Sequence, residues 1–348
     1  MQLLITGNLG YVGPCVMRHL RARFPHATLV GFDTGYFAHG VTQTHQHPER
    51  GIDVQHFGDL RAFPESLLEG VHAVVNLAAI SNDPMGNQFE SVTADINHRA
   101  GVRLAAAARR RGVSHFVFAS SCSVYGFAAD GARDENSPVD PLTAYARSKV
   151  ATENDLNDLA TEGFTVTNLR FATACGWSPR LRLDLVLNDF VACALASRRI
   201  SILSDGTPWR PLIHVDDMAR AIGWAVQRNP AMGGKALTVN VGADAWNYQV
   251  RDLAFAVQRS VPGVEVTVNP DAQPDRRSYR VSFERFRSLA PDAQPQATLP
   301  SAIDGLVQGL RGIGFADPDF RRGPLIRLET LRKHLAEGRL NPELRWIP

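Results

Sequence analysis

The chain carries almost no net charge and no long apolar run. Its 37 Lys and Arg against 35 Asp and Glu leave a formal charge of +2 over 348 residues. Nucleic acids and anionic membrane surfaces attract proteins with an excess of basic residues, so this balance favours neither partner. No apolar segment approaches the roughly 20 residues that a membrane-spanning helix needs, and no charged leader precedes the first apolar segment. We therefore expect a cytoplasmic protein.

Cysteine is scarce and unpatterned. The four cysteines are spread along the chain without a CxxC pair, so neither a zinc site nor a disulfide framework is indicated. A short histidine-rich stretch has no matching cysteine or carboxylate spacing, and we expect a solvated loop there and no metal. The cysteines are Cys15, Cys122, Cys175 and Cys193, and the histidines are His39, His45, His47 and His56.

Apolar strand-like runs alternate with helical patterns through the first half of the chain. The runs cover residues 3–6, 28–32, 54–57, 73–77, 116–120 and 165–171. Such alternation predicts an α/β fold in which helices cover both faces of a doubly wound parallel sheet. Beyond residue 172 the chain becomes richer in Pro and Arg. We therefore predict one domain over residues 1–171, to which segments at about 206–245 return, and a smaller lobe with a surface tail over residues 172–348.

The stretch "LLITGNLGYVG" at residues 3–13 runs from a buried strand into three glycines. Gly7 permits a tight turn, Gly10 lets the backbone approach a pyrophosphate, and Gly13 lets the following helix close on the strand. The spacing is GxxGxxG, and glycines also serve any strand-to-helix turn. The next strand ends at Asp33, whose carboxylate would accept ribose hydroxyls and repel a 2′-phosphate. The pattern predicts NAD over NADP, unless Asp33 only caps its loop.

Two further segments carry candidate chemistry. Tyr145 and Lys149 are four residues apart in "YARSK", so on a helix they share one face. A nearby ammonium lowers the pKa of a tyrosine and makes it a usable base near neutral pH. Upstream, "FVFASSCSVYG" places polar residues directly after an apolar strand, at the sheet edge where α/β proteins bind ligands. "GDLR" follows the third strand and directs Asp59 toward an adenine.

In this order and spacing the motifs resemble the extended short-chain dehydrogenases/reductases of the NAD-dependent epimerase/dehydratase family. The resemblance covers roughly residues 1–290. It is carried by "TGNLGYVG", Asp33, "GDLR", "VVNLAA", Asn97, "SSCSVYG", "YARSK" and "IHVDD". It implies a Rossmann-type sheet with a smaller C-terminal α/β substrate lobe, NAD along the sheet edge, and a nucleotide-diphosphate sugar in the cleft. It also implies a homodimer joined by two helices per subunit, around residues 88–111 and 143–162.

The resemblance assigns roles to individual residues. Tyr145 is the expected base, Lys149 its partner that also holds the nicotinamide ribose, and Ser121 the hydroxyl that hydrogen-bonds the reacting oxygen. Tyr145 would take the sugar hydroxyl proton while the carbon-bound hydrogen leaves as hydride to the nicotinamide. Asn97 is either near the cofactor or a surface-helix residue. The expected cofactor-binding residues are Gly7, Gly10, Tyr11, Val12, Gly13, Asp33, Asp59, Leu60, Leu77, Ala78, Ala79, Asn97, Tyr145 and Lys149.

The positions before "VYG" distinguish reactions within the family. Sugar-nucleotide 4,6-dehydratases carry an acid and a base there, whereas this chain has Cys122 and Ser123, and no carboxylate to remove the C5 proton. A thiol fills the acid position in some relatives, but a buried cysteine is the simpler interpretation. "SSCSVYG" is more similar to the pattern of hexose 4-epimerases. We predict epimerisation at C4 through a 4-keto intermediate. The alternatives are a C4 dehydrogenase, a 4-ketoreductase or, least favoured, an NAD sensor without activity.

The predicted substrate lobe departs from the family pattern. Thr173 replaces an asparagine common among relatives, and Cys175 replaces a tyrosine. Arg210, in "DGTPWRPLIHVDD", matches the arginine that clamps the diphosphate, a task that suits a bidentate guanidinium. A later family arginine is missing. Arg276, Arg277 and Arg280 in "DRRSYR" are the candidates to replace it, and of these we select Arg277. The expected substrate-binding residues are Ser81, Ser121, Cys122, Ser123, Tyr145, Thr173, Arg210 and Arg277.

Overall fold

The computed structural model describes residues 1–42, 47–269, 272 and 278–347, without the side chains of residues 129 and 130. The strands are β1 Gln2–Thr6, β2 Thr28–Asp33, β3 Val54–Phe57, β4 Ala73–Asn76, β5 His115–Ser121, β6 Phe127–Arg133, β7 Thr165–Phe171, β8 Thr173–Cys175, β9 Arg199–Ile202, β10 Trp209–His214, β11 Ala236–Val241, β12 Asn247–Gln249, β13 Glu265–Val268 and β14 Ser278–Val281. The α-helices are α1 Gly13–Arg23, α2 Asp83–Gln88, α3 Glu90–Thr93, α4 Gly101–Arg110, α5 Ala144–Leu159, α6 Val186–Ala196, α7 Val215–Ala225, α8 Val250–Ser260, α9 Glu284–Leu289, α10 Leu299–Gly312 and α11 Arg327–Ala336.

A seven-stranded sheet forms the centre of the described residues, in the order β11-β7-β5-β4-β1-β2-β3. Every neighbouring pair in it is parallel. All seven residues of β7 are buried, as expected of a strand whose sheet is covered on both faces. The strand order reverses direction between β1 and β4, which creates a crevice at the carboxyl ends of these strands. The predicted Rossmann-type doubly wound sheet is confirmed.

Helix α1 begins at Gly13 because Pro14 fits the first helical turn, where its missing N–H is not needed. Its apolar face, which includes Cys15, Val16 and Leu20, is buried against the sheet. Helix α5 begins where the Thr143 hydroxyl accepts a hydrogen bond from the Ala146 amide at 3.1 Å. These two helix starts place the glycine turn and the "YARSK" segment at the same end of the sheet.

The helix predicted around residues 88–111 is interrupted. In place of one helix, α2 and α3 are followed by a π-helical segment at Ala94–Ala100 and then α4. Asn97 lies in the π-helical segment and is 1% exposed. Its side-chain amide accepts a hydrogen bond from the Ile80 amide at 2.8 Å and donates to the Ile80 carbonyl at 3.0 Å. The interruption therefore anchors the loop that follows β4.

Strands from the second half of the chain pair with strands from the first half. Small sheets join β12, β10 and β8, pair β13 with β9, and pair β14 with β6. Strand β11 returns to the central sheet beside β7. Helix α11 packs on the edge of the crevice, where Leu331 and Leu344 join Tyr36, Ile80 and Met85 in one apolar cluster.

Two further observations concern the described part of the chain. None of its helices has the length and apolar character required to cross a membrane. The four cysteines are buried and free, and within the described ranges no three His, Cys, Asp or Glu side chains are grouped to hold a metal ion. His45 lies outside the described residues.

Candidate active site

A cavity of about 990 Å³ opens at the carboxyl ends of the central strands. Its volume is at the upper end of the range usual for ligand sites. The predicted cofactor and substrate residues that line it are Gly7, Gly10, Tyr11, Val12, Asp33, Asp59, Leu60, Leu77, Ala78, Ala79, Ser81, Ser121, Ser123, Tyr145, Lys149, Thr173 and Arg210. Most residues selected from the sequence are thus brought to one cavity.

The glycine turn has the geometry of a phosphate cradle. Gly7 has a φ of +73°, and a Cβ there would lie 2.5 Å from the Ala78 nitrogen, so no larger residue fits. Helix α1 has no acidic residue in its first turn and no side-chain cap, so its first N–H groups are available to an anion. Gly13 does not line the cavity. A Cβ there would lie 1.9 Å from the Asn8 carbonyl oxygen, so it serves the close packing of turn and helix.

The carboxylate of Asp33 lies at the end of β2 and lines the cavity. It accepts hydrogen bonds from the Leu9 amide at 3.0 Å and the Gly35 amide at 2.7 Å. Burial raises its pKa, and these two amides oppose that rise. Asp59 also reaches the cavity, but its two oxygens accept hydrogen bonds from Arg61 Nε at 3.0 Å each. Its predicted contact with adenine stays a prediction.

Ser121, Tyr145 and Lys149 lie together in the lining of the cavity. Lys149 Nζ donates to the Ala119 carbonyl oxygen at 2.6 Å and lies 5.4 Å from the centroid of the Tyr145 ring. Ser121 Oγ accepts a hydrogen bond from the Ser123 amide at 3.1 Å. A side-chain hydrogen bond with Ser121 also lowers the pKa of Tyr145. The hydroxyl, phenol and amine can therefore contact one bound molecule.

The expected lowering of the Tyr145 pKa by Lys149 is wrong for the protein alone. Burial, with the Asp83 carboxylate adding to it, raises the pKa of Tyr145 to about 12. Burial lowers the pKa of Lys149 to about 7, and the Glu153 carboxylate opposes this fall. For both groups desolvation by burial is the largest cause of the change in pKa. At neutral pH the phenol of Tyr145 holds its proton.

A buried ion pair lies one helical turn beyond Lys149. Arg170 Nη2 donates to Glu153 Oε2 at 2.7 Å, and Arg170 Nη1 donates to the Tyr125 hydroxyl at 3.0 Å. The Ser120 hydroxyl also donates to Glu153. The pair ties α5 to the ends of β5 and β7, and so fixes the wall that carries Lys149. The sequence reading missed it, although Glu153 follows Lys149 by four residues and therefore shares its helix face.

Three predicted residues are not brought to the cavity, and a fourth cannot be placed. Cys122 is 0% exposed, does not line the cavity, and donates its thiol to the Arg170 carbonyl at 3.1 Å. Burial raises the pKa of this thiol. Gly13 and Asn97 have the packing and anchoring positions described above. Arg277 lies outside the described residues.

Three arginines that the sequence analysis did not select line the cavity: Arg182, Arg321 and Arg327. Arg182 donates to Ser81 Oγ at 3.0 Å and pairs with Asp184 at 2.6 Å. Its charge lowers the pKa of Tyr145. Arg327, from α11, lies in the C-terminal tail that was predicted to pack on the surface, and it also lines the cavity. The run "SPRLRLD" offered a weak signal for Arg182, and nothing in the sequence indicated Arg327.

Comparison with known proteins agrees with this geometry. A family model described as "NAD dependent epimerase/dehydratase family" matches residues 3–242. YtcB of Bacillus subtilis (strain 168), named as an uncharacterized UDP-glucose epimerase, is 31% identical over 250 residues, which are 70% of this chain and 77% of that protein. A dTDP-glucose 4,6-dehydratase of Streptomyces griseus is 28% identical over 82% of this chain and 87% of its own.

A solved structure resembles the whole architecture. MoeE5 in complex with UDP-glucose and NAD superimposes with a TM-score of 0.76 and 25% identity, over 90% of this chain and 99% of that one. With the family model covering most of the chain, these matches show that the protein belongs to the NAD-dependent epimerase/dehydratase family. The predicted family is confirmed, and so is the NAD dependence that defines it.

Proposed function

We propose that this protein is an NAD-dependent epimerase that inverts C4 of a nucleotide-diphosphate sugar through a transient 4-keto intermediate. The observation that carries the proposal is the single cavity that joins Gly7 and Asp33 to Ser121, Tyr145 and Lys149. A dinucleotide cradle and a proton-transfer site share this space. What supports the reaction class is the presence of UDP-glucose epimerases among the relatives.

Each residue of the proposed site has a defined task. The amides at the start of α1 and the Asp33 carboxylate would hold NAD, which when bound supplies the hydride acceptor and a positive charge that favours an ionised phenol. Tyr145 then exchanges a proton with the sugar hydroxyl at its phenolic oxygen. Ser121 donates a hydrogen bond to the oxygen of that sugar hydroxyl as it becomes the oxygen of a ketone. Lys149 orients the phenol and contributes charge beside it.

The positions before "VYG" argue against a dehydratase. The Cys122 thiol faces the Arg170 carbonyl and does not line the cavity, so it cannot act on C5 from this position. Two carboxylates that line the cavity, Asp83 and Asp184, are already bound by neighbouring side chains. Thr143 Oγ1 donates to Asp83 at 2.7 Å, and Arg182 holds Asp184. Neither carboxylate is placed as an uncommitted base.

A one-way C4 dehydrogenase or 4-ketoreductase would use the same three residues. It differs from an epimerase only in releasing the reduced or oxidised cofactor. An NAD sensor on the same fold is disfavoured because the serine, tyrosine and lysine are present and lie together in the cavity.

The test separates these functions by cofactor balance. Purified protein is denatured and its released NAD and NADH are measured, and a panel of UDP-, dTDP-, GDP- and CDP-sugars is assayed with and without added NAD. An isomeric product formed without added cofactor supports the epimerase. Stoichiometric NADH with a keto product contradicts it and indicates a dehydrogenase. Ser121→Ala, which removes only the hydroxyl, is the matched variant and should lower kcat without abolishing NAD binding.

We also propose a homodimer joined through the helical segments around residues 88–111 and 143–162, on the family resemblance. Size-exclusion chromatography with light scattering tests this. A mass near 76 kDa, twice the 38.1 kDa of the chain, is expected. A mass of one chain at micromolar concentration would contradict it.

A further inference from the structure

Arg327 is a buried cation without an acidic partner. Its side chain is 2% exposed, yet it lines the cavity. Within the described ranges it forms no ion pair. Its polar contact is a hydrogen bond from Nη2 to the Arg180 carbonyl at 2.8 Å, and its guanidinium carbon lies 4.4 Å from the centroid of the Phe37 ring. A buried charge is costly unless an opposite charge or several hydrogen bonds compensate it.

The neighbouring Asp33 and Asp184 carboxylates offset the burial of Arg327 only in part, and each of them already accepts hydrogen bonds from other groups. Asp33 accepts the Leu9 and Gly35 amides, one on each oxygen. Asp184 accepts Arg182 on both oxygens. Arg180 has a carboxylate of its own, Glu49, at 2.5 Å. Burial and the charges of Arg182 and Arg180 together lower the pKa of Arg327 to about 9.

The position of Arg327 is fixed by the chain that follows it. In α11 and the residues after it, Leu331 and Leu344 are both 0% exposed. Trp346 Nε1 donates to the Thr34 carbonyl at 2.6 Å, and the His334 ring contacts the Tyr36 carbonyl at 3.0 Å. Thr34 and Tyr36 belong to the loop directly after Asp33. The C-terminal segment, residues 327–347, is therefore packed on the cofactor half of the cavity and holds Arg327 there.

The phosphate cradle supplies no cation of its own. Residues 7–13 contain no Lys or Arg, so the amides of the turn and the start of α1 are its only positive groups. A dinucleotide carries two negative charges on its pyrophosphate. The Arg327 guanidinium has no paired anion, and the glycine turn has no cationic side chain. A diphosphate bound in this cavity would satisfy both.

We propose that Arg327 is a cofactor-binding residue that pairs with the diphosphate group of the dinucleotide, and that the C-terminal segment is thereby part of the NAD site. The same chemistry would suit the diphosphate of a sugar nucleotide. The location beside Asp33 and Phe37 favours the cofactor, whereas Arg210 on β10 is the residue predicted for the substrate. The inference rests on the NAD site of the proposed function and not on which reaction is catalysed.

The test is a binding experiment on ligand-free protein. Arg327→Met keeps the length of the side chain and removes the charge. Calorimetric titration should show about 10- to 100-fold weaker binding of NAD and of ADP-ribose, and unchanged binding of adenosine. Arg332→Met is the matched control, because Arg332 lies on the same helix but is 50% exposed and contacts Gln88 and Glu329. Its NAD affinity should equal that of the wild type.

The other outcomes overturn the proposal. Unchanged NAD affinity in Arg327→Met does so directly. Weaker binding of UDP with unchanged binding of NAD assigns Arg327 to the substrate diphosphate.

The melting temperature of the ligand-free variant should be equal to or above that of the wild type, because an unpaired buried charge is lost. A lower melting temperature with unchanged NAD affinity assigns Arg327 a structural role. Should Arg327→Met not fold, Arg327→Lys must still weaken NAD binding, because it loses the bidentate geometry.

Discussion

Lys149 should make the ligand-free protein less stable, and Lys149→Met should therefore stabilise it. The side chain is 3% exposed, and burial lowers its pKa from 10.5 to about 7. At about 1.4 kcal/mol per tenfold change in proton affinity, the fold disfavours the ammonium at pH 7 by about 4 kcal/mol. Methionine fills a similar volume and loses one hydrogen bond to Ala119, which costs about 1 kcal/mol. The expected net gain is about 2 to 3 kcal/mol.

The pH dependence of this gain follows from the sign of the pKa change. Between about pH 7 and 10.5 the unfolded chain holds a proton that the folded chain rejects, so unfolding takes up a proton and wild-type stability rises with pH. The contribution of Lys149 to wild-type stability is fully present above its unfolded-state pKa of 10.5 and is lost as the pH falls toward 7. Lys149→Met lacks this dependence. Its advantage should be largest at pH 7 and should shrink toward pH 10.

The assay is urea unfolding of ligand-free wild type and variant, followed by tryptophan fluorescence at pH 7 and pH 9.5. Lys235→Met is the control, because Lys235 is 51% exposed and its removal should change the free energy of unfolding by less than about 0.5 kcal/mol. Turnover of Lys149→Met should fall by at least about 100-fold. A variant less stable than wild type by more than about 1 kcal/mol at pH 7 would refute the burial argument.

Three further perturbations test other parts of the site. Glu153→Gln leaves the Arg170 guanidinium buried without its carboxylate and should lower the free energy of unfolding by about 3 kcal/mol in urea melts. Adding Arg170→Met should recover part of this lost stability. A loss of less than about 1 kcal/mol in Glu153→Gln contradicts the account. Gly7→Ala should weaken NAD binding at least about tenfold by calorimetry, whereas Gly263→Ala, with a φ of +78° and nothing within 4 Å of the added carbon, should not. Tyr145→Phe should reduce turnover by about 100- to 10,000-fold with NAD affinity retained, and a normally active variant would exclude the phenol as the proton carrier.

Periodicity and turn chemistry predicted the sheet because each of these signals is local. A run of apolar residues followed by glycines, as at Gly7, determines a strand, a turn and a helix start without reference to the rest of the chain. The i,i+4 spacing likewise placed Tyr145 and Lys149 on one face of α5. Their meeting with Ser121 followed from the rule that carboxyl ends of parallel strands share an edge.

The remaining parts of the site depend on contacts between distant segments, which local patterns do not encode. The Arg170–Glu153 pair joins β7 to α5, and Arg327 reaches the cavity from a helix at the far end of the sequence. The pKa of Tyr145 was predicted in the wrong direction because spacing reveals the neighbouring charge but not the depth of burial. Cys122 was predicted to bind the substrate because a motif at a strand end does not reveal which side chains point into the protein core and which line the cavity.

The central claim is that the hydride leaves C4 and returns to C4 of the same molecule, beside Tyr145. The most direct test uses the nucleotide sugar with the highest rate in the panel, labelled with deuterium at C4 and converted without added NAD. Mass and NMR analysis of the epimer should find the deuterium retained on C4 and no labelled cofactor in solution. Deuterium recovered in free NADH, or a product that has lost the label, would contradict the account.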